Sequence, residues 1–195
     1  MSKTIVFLHG FSSNGSEFRD KISSALPADI ATHRLIFPNA RIRPISCYDG
    51  ARVRSWHDYL TNYGDRNIAH EEVVQDVEES ILDLLQLKPS IIVGESQGAC
   101  VAYEVGRRAR IPTIMLYGQR YTMFPHNTPF PLRALIGKRD RVIPLSVSKP
   151  QMPTFAEVTV GDGSHAEMSE DASLFLQKAL QLSVGTDVFR TSVDL

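Results

Sequence analysis

Gly94-Glu95-Ser96-Gln97-Gly98 stands between an apolar run, Ser90 to Val93, and a stretch of helical character, Gln97 to Arg108. A Gly-x-Ser-x-Gly set between a strand and a helix reads as a nucleophile elbow, a sharp turn that lifts a weakly nucleophilic hydroxyl clear of both elements. The glycines two residues either side of Ser96 let the two backbones pass closely. Ile91, Ile92 and Val93 are β-branched and bounded by Pro89 and Gly94, which suits a buried parallel strand. Serine is also a preferred helix N-cap, so the meaning of the pentapeptide rests on what stands elsewhere in the chain.

Outward from the elbow, strands and helices alternate. Thr4 to Leu8 is a short apolar strand, followed by a glycine- and serine-containing loop and a helix predicted from about Ser16 to Leu26. Leu35 to Phe37 makes a second strand. Asn39 to Asn67 contains Pro44, Gly50 and Gly64 without a clean period and reads mostly as loop, with one short helix near Trp56; loops of that length are usually functional. Val73, Val74, Val77, Ile81, Leu84 and Leu85 recur at helical spacing. Glu71, Glu72, Asp76, Glu78, Glu79 and Asp83 fall on the other faces, as in an amphipathic helix with a solvated acidic side. Thr113 to Leu116, Leu132 to Ile136 and Thr154 to Val160 supply further strands, and Asp171 to Leu182 a last helix. The pattern predicts an α/β fold with a mainly parallel sheet of about six strands covered by helices on both faces. Its chemistry is expected in the loops beyond the C-terminal ends of the strands.

Two such loops carry the missing partners of a serine nucleophile. Gly137-Lys138-Arg139-Asp140 follows one strand and Gly161-Asp162-Gly163-Ser164-His165 follows the last. The order Ser96, Asp140, His165 is that of α/β-hydrolases and differs from the chymotrypsin and subtilisin orders. An imidazole titrates near neutral pH, so His165 can take the serine proton and return it to a leaving group, with Asp140 fixing its tautomer. Asp58 and Asp162 compete for the acid role, but Asp58 precedes Ser96 and Asp162, three residues before His165, reads as a turn residue. Acyl transfer also needs donors for an oxyanion, assigned to the backbone N–H groups of Gln97 and of Phe11 in the loop after the first strand. His9 reads as a loop-holding residue. His33, His57, His70 and His126 do not follow the final strand, and no histidine spacing suggests a metal site.

Composition narrows the field. The 195 residues hold 21 Lys and Arg against 22 Asp and Glu, so no overall field attracts nucleic acid or an anionic membrane. Without a Pro/Gly/Ser-rich linker, residues 1–195 read as one domain. Ile5 to Leu8 is too short for a signal-peptide core and no run approaches a membrane span, so a cytoplasmic protein is expected. Cys47 and Cys100 are then expected to stay reduced, with Cys100 packed as a small hydrophobe. Asn14-Gly15-Ser16 matches a glycosylation acceptor that has no role in that compartment. The mixed tail from Val184 to Leu195 receives no role.

Four segments together resemble the phospholipase/carboxylesterase family of α/β-hydrolases, which includes acyl-protein thioesterases and small carboxylesterases. They are Leu8-His9-Gly10-Phe11; Phe37-Pro38-Asn39-Ala40 with Arg54-Ser55-Trp56-His57-Asp58; the elbow; and Gly137 to Pro144 with Gly163-Ser164-His165. The likeness spans Val6 to about Glu167. It implies hydrolysis of esters or thioesters without a cofactor, with Ser96, Asp140 and His165 matching the triad and Phe11 and Gln97 the oxyanion donors. The chain departs from the family pattern at four places, one of them Ala99-Cys100, where the family tends to have a further glycine. Few residues precede the first strand, which predicts a sheet reduced at its N-terminal edge. Glu95 stands where an apolar residue is commoner and reads as a turn residue directed away from the chemistry. Leu116-Tyr117-Gly118-Gln119 replaces a leucine-serine-glycine segment.

Trp56, Tyr117, Met123, Phe124 and Phe130 are candidates to line an acyl pocket, against the alternative of ordinary core packing. The leading expectation is a serine esterase or thioesterase acting on a small-molecule or acyl-chain ester, with no metal and no oligomeric state indicated. The alternatives are an α/β-hydrolase scaffold that binds a small molecule without turnover, or the same triad acting on another bond.

Overall fold

Ile5 to Leu8 and Ile91 to Val93 are apolar on both faces of a strand, and both runs are fully buried in the computed structural model, which describes residues 2–60, 73–121, 123–124 and 128–185. The strands, in chain order, are β1 (Thr4–Leu8), β2 (Arg34–Ile36), β3 (Ile42–Ile45), β4 (Ala51–Arg54), β5 (Ile91–Glu95), β6 (Thr113–Leu116), β7 (Leu132–Gly137) and β8 (Glu157–Gly161). Six form one sheet in the order β2-β1-β5-β6-β7-β8, with every pairing parallel. The order reverses between β1 and β5, the crevice where open α/β sheets place their sites.

Because successive side chains of a strand point to opposite faces, β1 and β5 serve two cores at once. Ile5, Phe7, Ile91 and Val93 pack with Phe18 and Ile22 of helix α1 (Gly15–Ile22) and with Ala172, Leu176 and Leu180 of α5 (Glu170–Gly185). Val6, Leu8 and Ile92 pack on the other face with Val77, Ile81 and Leu84 of α2 (Val74–Gln86) and Cys100, Val101 and Val105 of α3 (Gln97–Ala109). Helix α1 starts at Asn14, whose side chain accepts from Glu17 N–H at 3.0 Å, so the Asn-Gly-Ser sequence is a helix cap here. A 3-10 turn, Ser23–Ala25, continues α1 where a longer helix was predicted. A short helix that the sequence did not announce, α4 (Leu145–Gln151), follows Pro144.

Three expectations are corrected. The stretch from Asn39 is no plain loop: β3 and β4 form an antiparallel hairpin with Arg43 opposite Val53, and no helix surrounds Trp56. The alternation is masked because the inward residues are Arg43 and Ile45, while Ile42 is 51% exposed. Asp49 and Gly50, both with positive φ, close the connection, and this Asp-Gly pair was the signal available. The acidic side of α2 is paired rather than simply solvated. Asp76 meets Arg43, Glu78 meets Arg108 at 2.5 Å, and Glu79 and Asp83 both meet Arg41. Finally, the strand predicted from Thr154 begins at Glu157. Glu71, Glu72, His70, His126, residues 61–67 of the long connection and the tail beyond Gly185 lie outside the described residues. No described helix is long and apolar enough to cross a membrane.

Candidate active site

The elbow is built by backbone crowding. A methyl group on Gly94 would sit 2.3 Å from Gly98 O, and one on Gly98 would sit 2.5 Å from His9 O, so both positions exclude any side chain. Between them Ser96 adopts φ 53 and ψ −120, a conformation that costs an L-residue on the order of 1–3 kcal/mol. It is held by Ser96 N–H donating to Leu116 O at 2.9 Å and by Ala99 N–H donating to Ser96 O at 3.0 Å. Ser96 occupies the N-cap position of α3, yet its side chain makes no capping bond.

Its Oγ lies instead 2.8 Å from His165 Nε2, and His165 Nδ1 lies 2.8 Å from Asp140 Oδ2. The Asp140 side chain is almost wholly buried, and its other oxygen accepts N–H bonds from Val142 at 2.9 Å and Ile143 at 2.8 Å. These bonds aim Oδ2 at the ring, and a carboxylate at Nδ1 keeps the ring proton there, leaving Nε2 to accept from the serine. The competing acids point elsewhere. Asp58 accepts the Ser46 N–H at 2.8 Å and also its hydroxyl, closing the hairpin. Asp162 pairs with Lys138 Nζ at 2.8 Å on the surface, a contact that lowers its pKa.

The loops that carry these residues brace one another. Arg139 N–H donates to Gly163 O, and Glu167 accepts both N–H and Oγ–H of Ser164. Tyr117, with φ 55, sends its hydroxyl to Glu167 O at 2.7 Å and sets its ring 6.4 Å from that of His165. On the opposite side, His9 bridges Gly10 O (2.7 Å from Nδ1) and Ala40 N–H (3.0 Å from Nε2), a loop-holding part. Nε2 accepts, which requires the neutral ring, and burial lowers the His9 pKa in the same sense. Ser12 N–H donates to Arg54 O at 3.0 Å, so the hairpin holds the loop that carries Phe11. The Gln97 N–H, at the first turn of α3, has no intrahelical acceptor. The Gln97 side chain does work that the sequence did not reveal. It accepts from Trp56 N–H at 2.9 Å and donates to Ser55 Oγ at 2.9 Å and His57 O at 3.1 Å, tying the hairpin exit to the elbow.

A cavity of about 390 Å³ opens beside Ser96, and its walls include Gly10, Phe11, Phe18, Lys21, Glu95 and Val142. None of the five residues expected at an acyl pocket is among the walls of this cavity. Trp56 is buried with its Nε1 donating to His9 O at 2.8 Å, and Tyr117 is buried behind His165. Met123 and Phe124 pack against the α2/α3 core, and Phe130 stacks edge-on with Tyr103 and Phe155. Aromatic and apolar residues near strand ends were claimed by the core because large side chains gain most from full burial. Glu95 is a second correction. Rather than turning away, its buried carboxylate lines the cavity and accepts from Lys21 Nζ at 2.5 Å. Burial raises its pKa, with Lys21 and His165 opposing.

This sheet, with a serine on a strained strand-to-helix turn facing a histidine and an acid from later strand ends, defines an α/β-hydrolase. The model of the alpha/beta hydrolase family matches residues 5–182, and the chain belongs to that family. Acyl-protein thioesterase 1 of Yarrowia lipolytica is 29% identical over 103 residues, which are 52% of this chain and 42% of that protein; the match thus spans under half of the relative's length. Among solved structures, Arabidopsis thaliana SOBER1 superposes with a TM-score of 0.75 at 17% identity, covering 94% of this chain and 100% of that one. Zea mays acyl-protein thioesterase 2 gives 0.72 at 19% identity, covering 94% of each chain. The Bacillus cereus carboxylesterase gives 0.64 at 12% identity, covering 91% and 89%. At these identities the structural matches speak for the fold.

Proposed function

We propose that the protein is a serine hydrolase that cleaves carboxylic esters or thioesters through an acyl-enzyme on Ser96. The observation that carries this reading is the continuous hydrogen-bonded row from Asp140 through His165 to Ser96 Oγ, 2.8 Å at each link. His165 Nε2 takes the hydroxyl proton as Oγ attacks the carbonyl carbon, and Asp140 stabilises the imidazolium that forms. The oxyanion is met by the N–H groups of Gln97 and Phe11, each such donor contributing about 3–4 kcal/mol to the transition state. His165 then gives the proton to the departing alcohol or thiol, and water repeats the cycle in reverse to release the acid. No cofactor enters these steps. A cavity of about 390 Å³ with mixed walls suits a small acyl group.

A fluorophosphonate probe with p-nitrophenyl esters of increasing chain length tests the reading. Wild-type protein labels once and turns over the short esters, whereas Ser96→Ala abolishes labelling and lowers kcat by about 10⁴-fold or more with little change in Tm. Absence of labelling, or labelling that survives Ser96→Ala, sinks it.

A further inference from the structure

Glu95 immediately precedes the nucleophile, is 5% exposed, and has two carboxylate oxygens in different circumstances. Oε1 accepts from Lys21 Nζ of α1. Oε2 makes no hydrogen bond among the described residues and faces the gap above Gly10: a methyl group on Gly10 would be 3.6 Å from this oxygen and 3.4 Å from Ser96 Cβ. An acceptor therefore stands one methyl group's reach from the nucleophile, in a wall that presents Phe11, Phe18 and Val142 together with Ser13, Glu17 and Lys21. Lys21 compensates the charge and is itself about one-third exposed.

A second cavity of about 410 Å³ meets the first at Val142 and His165 and is walled by Arg139, Arg141, Ser164 and Glu167. His165 borders both cavities, while Ser96 and Glu95 line only the first, so the acyl group is placed on the Glu95 side and the leaving group on the Arg139 side. The charged groups facing the acyl side are Glu17, Lys21, Glu95 and His165. The lysine offsets only one of the two carboxylates, which disfavours an anionic acyl group.

Resting on the reading of Ser96 as nucleophile, we infer that Glu95, held by Lys21, selects short acyl groups that carry a hydrogen-bond donor close to the carbonyl, a hydroxyl or an ammonium, over plain alkyl chains. A plain chain would strip water from Oε2 and return nothing, whereas a donor replaces the lost hydrogen bond; sites that bond a substrate donor reject analogues lacking it far more strongly than apolar pockets sort methylenes. Burial already raises the Glu95 pKa, so the ionised carboxylate gains from each added donor. Glu95 is thus a specificity residue and takes no part in proton transfer.

Three activated esters of matched shape decide it: p-nitrophenyl 3-methylbutyrate, 3-hydroxybutyrate and 3-aminobutyrate. The wild-type kcat/KM is expected to favour the hydroxy or the amino ester over the methyl ester by at least about tenfold. Glu95→Leu removes that preference. Glu95→Gln, of nearly the same shape and suited to the test if the leucine variant folds poorly, keeps a preference for the hydroxy ester and loses any for the amino ester. Equal or better use of the methyl ester by wild type, or a preference that survives Glu95→Leu, overturns the inference. Fluorophosphonate labelling separates the failures. Labelled protein without the preference refutes only the role of Glu95, and unlabelled protein refutes the nucleophile and this inference with it.

Discussion

The elbow carries Ser96 and the hairpin braces the Phe11 loop beside it, and the two are held by different forces. At the elbow the determinants are backbone atoms in close contact: Gly94 passes Gly98, Gly98 passes Leu8 and His9 of the neighbouring strand end, any Cβ would block both contacts, and Ser96 takes φ 53. At the hairpin they are polar side chains reaching across the molecule. Arg43 is inserted toward Ser55 O at 3.0 Å and toward Asp76 of α2, and Gln97 grips Ser55, Trp56 and His57. The reactive atom thus rides on backbone packing, and the loop beside it rides on side-chain hydrogen bonds. A backbone change should therefore disable the first, while loss of one side chain should loosen the second and leave the nucleophile in place.

The contrast is broken most severely at Gly98. Gly98→Ala puts a methyl group against His9 O and is expected to cost about 3 kcal/mol or more, at the upper end for overpacking, with loss of fluorophosphonate labelling. Denaturant melts and probe labelling check both effects, and a folded, fully labelled variant would show that the elbow has slack.

On the hairpin side, His57 is fully buried with its Nδ1 2.7 Å from Asp58 O, and burial lowers its pKa from the ordinary 6.5 to about 4. The folded state therefore holds the ring neutral while the unfolded chain protonates it. The resulting stability is present above pH 6.5 and is lost as the pH falls from 6.5 to about 4, on the order of 3 kcal/mol. Unfolding free energies across that window should slope downward toward acid, and His57→Asn should flatten the slope. An unchanged slope in the variant would assign the acid sensitivity to other groups.

The smallest expected effect is at the link between the two regions. Gln97→Met removes the bonds to the hairpin exit but keeps the backbone N–H and the side-chain volume. It should cost about 2 kcal/mol of stability, from buried partners left unpaired, and lower kcat/KM while labelling at Ser96 persists. Complete loss of labelling would mean that elbow and hairpin are one unit.

The sequence was readable where physical causes are local. Short apolar runs marked β1, β5 and β6, the β5 run being β-branched and bounded by Pro89 and Gly94, and the strand-end loops holding Asp140 and His165 could be put in order with Ser96. It was opaque where the partner lies far along the chain. Apolarity at Ile42 suggested nothing inward-facing about Arg43, because an arginine is buried only when Ser55 O and Asp76 are there to meet it. Trp56, Tyr117 and Phe130 looked suited to a pocket, but a large apolar residue is equally suited to any enclosed space, and neighbours distant in sequence filled theirs.

By itself, then, the sequence determined that a parallel sheet would carry a serine on a sharp turn, with an acid and a histidine on later loops. Glycine freedom, strand hydrophobicity and chain order are properties of short segments. Only the tertiary structure decided that Glu95 faces the cavity with Lys21 beside it, and that the hairpin braces the Phe11 loop. A charged side chain goes inward only when the folded chain supplies its counter-charge, and Lys21 stands 74 residues away from Glu95 along the chain.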